Sequence, residues 1–444
     1  MVVRIAIVGA GISGLGAAWL LSRGGHEVAV LESESRLGGH SNTLEVDAPE
    51  GRLAIDTGFI VYNEPCYPNL VALFRHLDVP TAPTSMSFAV SFGAGRYEYS
   101  GTGLAGFLAQ PANLLSAAHW SLAGGMVRFF REAGRIDAGD VAPHVTLGAW
   151  LAAHGYRKSF IERFIVPMGA AIWSTPAGQM LDFPFASFVR FFQNHQLLTV
   201  GGQLPWRTVE GGSRVYVERL RRTLSGEVSL ADPVVRVEGG ARGVEVTLRS
   251  GRRGRYDACL LACHADTALS LLAAPTADER ALLGAFRYAP NRAVLHTDAS
   301  LMPRRRRAWA SWNYLDLEDD GRLAVTYWMN SLQPLATRRS YFVTLNPPRE
   351  PSGVVASIDY HHPVYDARAL AAQEQLWRLQ GRGGVYLAGS YFGYGFHEDG
   401  LEAGLAVAEA LGGVARPWPF DKHASRLPAV RSGADPMPLP VAAE

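Results

Sequence analysis

Short apolar runs separated by glycine-rich turns set the pattern of this chain, and the first run is the clearest. Arg4-Ile-Ala-Ile-Val8 is continuous and β-branched, as expected of a strand buried on both faces. Leu15, Ala18, Trp19 and Leu20 follow at helical spacing, so residues 15–23 read as a helix. Residues 26–31 form a second apolar run, with Glu32 at its carboxyl end. Leu70, Leu73, Phe74 and Leu77 predict a helix over 68–77, and residues 85–92 alternate like a strand. Residues 147–163 and 165–171 look helical. A helix over 215–224 leads into a meander over 232–237, 244–248 and 255–261, and His264-Ala-Asp266 opens the next helix. Residues 293–296, 309–314, 323–329 and 341–345 read as strands of one antiparallel sheet. Residues 385–389 are the last buried strand, residues 390–400 the last loop, and 401–411 the last helix.

The turn after the first strand carries chemistry. Gly9 allows the tight turn in Gly9-Ala-Gly11-Ile12-Ser13-Gly14, Gly11 lets a pyrophosphate approach the backbone, and Gly14 lets helix and strand pack closely. Ile12 and Ser13 open a helix whose amides and dipole favour phosphate charge. Glu32, followed by Ser33, is placed to accept hydrogen bonds from a ribose diol. Arg36-Leu-Gly38-Gly39 adds a cation and two glycines, and Asp56-Thr57-Gly58-Phe59-Ile60 a second close-approach turn.

This arrangement resembles the FAD-binding motif of flavoprotein oxidases and desaturases, the superfamily of flavin amine oxidases, protoporphyrinogen oxidase and phytoene desaturase. The resemblance implies FAD as cofactor. It places Arg36, Gly38 and Gly39 over the pyrophosphate, and Thr57, Gly58, Phe59 and Ile60 beneath the flavin. Val234 touches the adenine through its backbone. Gly389, Glu398, Asp399 and Leu401 belong to a closing strand, loop and helix whose N-terminus meets the flavin's pyrimidine edge. His40 sits beside the pyrophosphate, a poor place for covalent attachment to the ring. The implied fold is α/β: a Rossmann-type FAD domain from 1–80, 200–284 and 376–415, and a discontinuous α+β substrate domain with an antiparallel sheet from 81–199 and 285–375. Residues 416–444 read as a Pro-rich tail on the surface or without order.

A net charge of +1 gives no reason to propose nucleic acid as a partner. Cys66, Cys259 and Cys263 suggest a reducing compartment, with strand alternation setting Cys259 and Cys263 on one face as core thiols rather than a metal or redox pair. The apolar N-terminal residues are used by the strand–helix–strand unit, so no signal peptide is expected, and no metal site is expected either. No run of about 18 apolar residues predicts a spanning helix. The expectation is a cytoplasmic protein, with peripheral contact at the inner face of a membrane as the alternative. Residues 104–135 read as two apolar helices, either a lid on the substrate domain or an interfacial element. Phe183, Phe185, Phe188, Phe191 and Phe192 fit a core or an apolar cavity wall. The run Arg304–Arg307 fits a solvated loop or a contact with anionic lipid headgroups.

More narrowly, residues 56–63, 206–212 and 395–400 resemble a bacterial subgroup encoded beside methyltransferases of the cyclopropane-fatty-acyl-phospholipid synthase type. That neighbourhood implies a lipid substrate and a lipid methyltransferase partner. Flavin amine oxidases hold a lysine near the flavin through a water, yet here no lysine falls between Lys158 and Lys422. Arginine is too basic to replace it as a proton relay. Hydride removal from a fatty-acyl carbon, a desaturation, therefore ranks above amine oxidation, with a non-catalytic lipid-binding flavoprotein as the other alternative. His397 is the candidate base, with a structural imidazole as the plainer role, and Tyr394 and Arg207 are the other catalytic candidates. Arg207 is assigned to a headgroup or ester carbonyl, and Tyr62, Trp173, Trp206, Tyr391 and Tyr394 to an apolar tunnel. Only one GxGxxG follows a strand, so oxygen, a quinone or another carrier is expected to take the electrons rather than NAD(P).

Overall fold

A computed structural model describes residues 2–137, 140–142, 144–173, 177–194, 197–198, 204–316, 324–422 and 425–428. Five parallel strands lie in the order Val228–Ser229, Glu27–Leu31, Arg4–Val8, Ala258–Leu261 and Val385–Leu387. Ile5, Ile7, Val30 and Leu260 have no exposed surface, which explains why these strands are apolar without alternation. The first helix, Ile12–Arg23, crosses the closing helix, His397–Gly412, at very short range. A Cβ on Gly404 would lie 2.1 Å from the Ser13 carbonyl oxygen, and one on Gly16 2.6 Å from Leu401. Ser13 and Leu401 are therefore held by helix packing.

Two strand assignments change at the meander. Val234–Gly240, Gly243–Leu248 and Arg253–Tyr256 form it, whereas Ala258–Leu261 enters the parallel sheet. Asp257 makes the switch, its carboxylate accepting from Arg4 N at 2.7 Å. The strand stops at Leu261, so alternation does not reach Cys263. All three cysteines are free, burial pushes the Cys263 thiol up to about 12, and no His/Cys/Asp/Glu group among the described residues fits a metal.

The second large sheet has seven strands in the order Val354–Val364, Arg287–His296, Phe342–Leu345, Ala324–Trp328, Trp312–Asp316, Phe88–Phe92 and Tyr97–Ser100. Its pairs are antiparallel except for Trp312–Asp316 with Phe88–Phe92, which run parallel. The long edge strand Val354–Val364 lacks an apolar alternation because most of its side chains are at least partly exposed. A small sheet of Val61–Asn63, Trp206–Val209 and Thr81–Thr84 sets Tyr62 opposite Arg207.

Residues 104–133 form the short helix Leu104–Phe107, the 3-10 turn Pro111–Leu115 and the helix Ala117–Ala133. Phe185, Phe188, Phe191 and Phe192 on the helix Phe185–Asn194 are buried, and Phe188 and Phe192 both meet Phe129 edge-on. They are core. Among the described residues no helix is long and apolar enough to cross a membrane.

Two expectations about the C-terminus are corrected. The closing helix starts at His397 rather than 401, because the Asp399 carboxylate accepts from Phe396 N at 2.8 Å and closes the first turn. Residues 414–422 and 425–428 are a packed strap rather than a loose tail. Trp418 stacks on Trp19 at 5.5 Å, Leu427 is buried, and the buried Arg426 guanidinium lies 3.3 Å from Asp399. The rest of the tail, 429–444, lies outside the described residues.

Candidate active site

The glycine turn has the geometry a diphosphate needs. Gly9 has φ +102°, and its amide donates to the Leu31 carbonyl at 2.9 Å, tying the turn to the second strand. A Cβ on Gly14 would fall 2.0 Å from the Gly9 carbonyl oxygen, so the first helix starts hard against the turn. Above Gly11, by contrast, a Cβ would meet nothing within 4 Å. The space over the helix N-terminus is open, and its first-turn amides have no partner inside the helix.

Glu32 is buried, with Oε2 accepting from Ala10 N at 2.7 Å and Oε1 from Ser33 Oγ and Glu34 N. Each carboxylate oxygen has two lone pairs, so Glu32 fixes the turn and keeps acceptor capacity for a diol. Gly38 donates to the Ala10 carbonyl, and a Cβ on Gly39, at φ +56°, would lie 3.1 Å from Gly11 Cα. The second glycine pair thus passes directly over the first. The Arg36 guanidinium turns back on the Ser41 carbonyl at 3.4 Å.

Residues 40–42 and 57–59 clasp one another next. Phe59 N donates to the His40 carbonyl at 2.8 Å and Thr57 N to the Asn42 carbonyl at 2.9 Å; a Cβ on Gly58 would strike the His40 carbonyl. Thr57 Oγ1 and Asn42 Nδ2 both meet the Tyr360 hydroxyl. Ile60 belongs to the small core behind this clasp, and its carbonyl accepts from Thr208 Oγ1.

Imidazoles gather at this clasp. His40 lies over Tyr360 with centroids 4.8 Å apart, 5.5 Å from His362 and 6.5 Å from His264. His40 Nε2 is buried without a hydrogen-bond partner. Burial, reinforced by His362 and His264, holds His40 well below the usual histidine value, and burial pushes His362 down to about 4. His397 stacks on Phe59 at 3.9 Å, and its Nε2 lies 2.7 Å from the Tyr216 hydroxyl, which also meets Ser41 Oγ. Burial pushes His397 down to about 3, so the imidazole is neutral at ordinary pH.

Carboxylates at this cluster are already bonded. Asp56 accepts from Ser213 N, Ser213 Oγ, Thr43 Oγ1 and Gln333 Nε2, and burial pushes it up to about 6. Glu398 accepts from the amides of Asn69 and Leu70 at the start of the helix Pro68–His76, and Asp399 from Phe396 N and Arg426. Glu398 and Asp399 therefore brace the closing helix. His397, as its first residue, belongs to a helix terminus rather than a loop.

The remaining sequence candidates scatter. Arg207 donates to Thr81 Oγ1 and the Thr81 carbonyl, and with Tyr62, Phe74 and Thr81 it lines an open cavity of about 540 Å³. The rings Tyr62, Phe74 and Tyr216 lead from there to His397, so Arg207 is not brought to the imidazole. Tyr391 is core rather than tunnel, packed on Phe286 and Phe392 with its hydroxyl buried and unpartnered. Tyr394 is half-buried beside Asp399, and Phe396 rather than a tyrosine stacks on Phe191 at 5.0 Å. Trp206 is half-buried on its strand, and the Trp173 side chain lies outside the described residues. Val234 is buried where the meander begins, next to a register shift, and Gly389 is buried just past the last parallel strand. Tyr216, Ser41, His264, Tyr360 and His362 carried no sequence signal, since they come from separate elements that meet only in the fold.

A dinucleotide cradle on a parallel sheet, joined to a body built on a large mixed sheet, defines the flavoprotein oxidoreductase class. Residues 12–304 match the family model of flavin-containing amine oxidoreductases, and the chain belongs to that family. It is 28% identical over 270 residues to the protein named flavin-containing monoamine oxidase AofH of Mycobacterium tuberculosis, covering 56% of this chain and 54% of that one. The chain thus spans about half the length of the curated relative it matches. Among solved structures, putrescine oxidase bound to putrescine superposes with TM-score 0.68 at 17% identity, covering 92% of this chain and 98% of the other. A fatty acid isomerase from P. acnes superposes with TM-score 0.65 at 13% identity, covering 90% and 97%. These likenesses show the fold. The family carries a flavin, and the open space over Gly11, the glycine overlay and the orphaned His40 nitrogen fit FAD.

Proposed function

We propose that this FAD-dependent oxidoreductase is a dehydrogenase or desaturase of fatty-acyl chains, free or esterified in phospholipid. The observation that carries this reading is the charge state of the clasp. Its imidazoles are neutral, the rings of Phe59, Tyr216 and Tyr360 pack around them, and the carboxylates Asp56 and Asp399 beside it are bonded to protein. Such walls suit an apolar chain and offer an ammonium group little. Both lysines, Lys158 and Lys422, are exposed, and Lys158 pairs with Glu162. The fold is also shared by a fatty acid isomerase, which supports an acyl substrate without establishing one.

When bound, FAD supplies a hydride acceptor for oxidation at carbon. Gly9, Gly11, Gly14 and Gly39 shape the space for its diphosphate, Glu32 accepts from its ribose, and the Val234 backbone borders its adenine. His397 is the group assigned to take the proton from the neighbouring carbon; its value of about 3 keeps it unprotonated but makes it a weak base, so its choice rests on position and not on a value near neutral pH. With a proton on Nε2 donated to the Tyr216 oxygen, Nδ1 presents the lone pair, and Tyr216 in turn donates to Ser41 Oγ. Tyr216 is thus a positioning residue that holds the imidazole through Nε2.

The test is incubation in air with bacterial phospholipid containing unsaturated or methylated chains, followed by mass spectrometry of the released acids. Loss of two hydrogens from one species supports the desaturase. Peroxide release with amines instead would favour the second reading, amine oxidation, to which family membership lends weight. Inertness toward both would favour a lipid-binding flavoprotein that serves a methyltransferase.

A further inference from the structure

One face of the molecule, remote in sequence from the glycine cradle, combines exposed apolar side chains with basic side chains that have no acidic partner among the described residues. Leu104 is 70% exposed, Leu114 56%, Leu115 90% and Trp120 47%. They form one patch: Trp120 Nε1 donates to the Leu114 carbonyl at 2.9 Å, and Phe107 meets Trp120 edge-on at 6.3 Å. Val127, two turns after Trp120 on the same helix face, extends it and is 52% exposed. Residues 99–127 contain no Asp, Glu, Lys or Arg. An uncharged stretch with such exposed leucines is costly to leave in water and marks an interaction surface.

The basic run lies against it. The helix Leu104–Phe107 packs on the turn Arg306–Ala308. Buried Glu98 joins the two sides, its carboxylate accepting from Arg304 N, Arg305 N and the Arg305 guanidinium. The Glu98 backbone meanwhile is held by Gln110 and Asn113, next to Leu114. Glu98 consumes one positive charge of the run. Arg304 and Arg307 stay exposed, and Arg306 lies over the rings of Trp309 and Trp328, at 3.7 and 4.9 Å. Apolar side chains and an interfacial tryptophan beside a cationic rim match the headgroup zone of an anionic bilayer.

We propose that residues 104–120 and Arg304–Arg307 dock the protein on anionic phospholipid membranes. Leu104, Leu114, Leu115 and Trp120 enter the headgroup–acyl boundary while the arginines face lipid phosphates. This surface does not depend on the acyl-chain reading, because an amine-oxidising enzyme with these residues would dock equally.

The experiment is co-flotation of the FAD-loaded protein with vesicles of phosphatidylcholine alone or with 30% phosphatidylglycerol (about 30%, near an anionic membrane surface). The phosphatidylglycerol vesicles are expected to carry the protein and the neutral ones to leave most of it behind. L114S/L115S should weaken flotation at least tenfold, and R304Q/R307Q by about fivefold per arginine. Both variants should keep the flavin absorbance ratio and melting temperature of the parent, which separates lost docking from lost folding. Flotation indifferent to the anionic lipid, or unchanged in L114S/L115S, would overturn the proposal. So would a dimer in solution that L115S dissociates, since a second copy would then cover the patch.

Discussion

The Nε2 of His397 and the hydroxyl of Tyr216 lie 2.7 Å apart, although 181 residues separate them in the chain. Ser41 reaches the same hydroxyl, so one oxygen couples the start of the closing helix to the segment that follows the second glycine pair. In this arrangement Tyr216→Phe should retain FAD and slow anaerobic flavin reduction by about tenfold, while His397→Ala should slow it by about 10²-fold or more. Stopped-flow reduction at saturating substrate checks both. Equal rates in parent and His397→Ala would leave His397 a purely structural imidazole.

The same burial makes stability depend on pH. His397, at about 3, and His362, at about 4, lie below the unfolded histidine value near 6.5. The unfolded chain therefore binds protons that the native chain rejects. The stability this contributes is full above pH ~6.5 and falls as pH drops toward the folded values, by at most about 1.4 kcal/mol per pH unit for each group. Asp56, pushed up to about 6, and Glu402, up to about 7, gain protons in the native state over the same range and oppose this contribution, so the difference between variants reads it: His362→Asn should lose less melting temperature than the parent between pH 7 and 5. Calorimetry at constant ionic strength measures it.

Two glycines in one turn should respond in opposite ways. Gly11→Ala places its methyl in open space, so the apoprotein should melt as the parent does and bind FAD poorly. Gly14→Ala drives a methyl to 2.0 Å from the Gly9 carbonyl and should destabilise the fold itself. Apoprotein melting together with FAD titration separates the two effects.

The C-terminal strap carries its own prediction. Arg426 is the cation that faces buried Asp399 and Glu398, and its guanidinium also bonds to the Cys66 carbonyl. Arg426→Ala should cost about 3–5 kcal/mol, because it leaves buried carboxylates unpaired. Urea unfolding of the FAD-loaded protein reads this directly.

Legibility in the sequence followed locality. The cradle was readable because Gly9, Gly11, Gly14 and Glu32 act through backbone geometry within one strand–helix–strand unit. The clasp was not, because His40, His264 and His362 come from three different segments, His362 from the edge strand itself, and meet only when that sheet edge folds over the nucleotide turn. The strand Val354–Val364 was invisible because an edge strand with solvated side chains has no apolar period. Arg207 and Tyr391 show the limit of reading residue type alone. Residue type suggested a headgroup ligand and a tunnel wall; in the fold Arg207 is anchored on Thr81 at an open cavity, and Tyr391 packs on core rings. The strap was open between a tail on the surface and one without order, because prolines do not reveal that Trp418, Arg426 and Leu427 anchor it.

The central claim is that this site oxidises an acyl chain at carbon. Its most direct test is anaerobic mixing of the yellow protein with phospholipid of defined chains, and separately with putrescine, while the flavin absorbance band is followed. Bleaching by the lipid, with putrescine inert, is the predicted result. Bleaching by putrescine alone would contradict the claim and make the protein an amine oxidase.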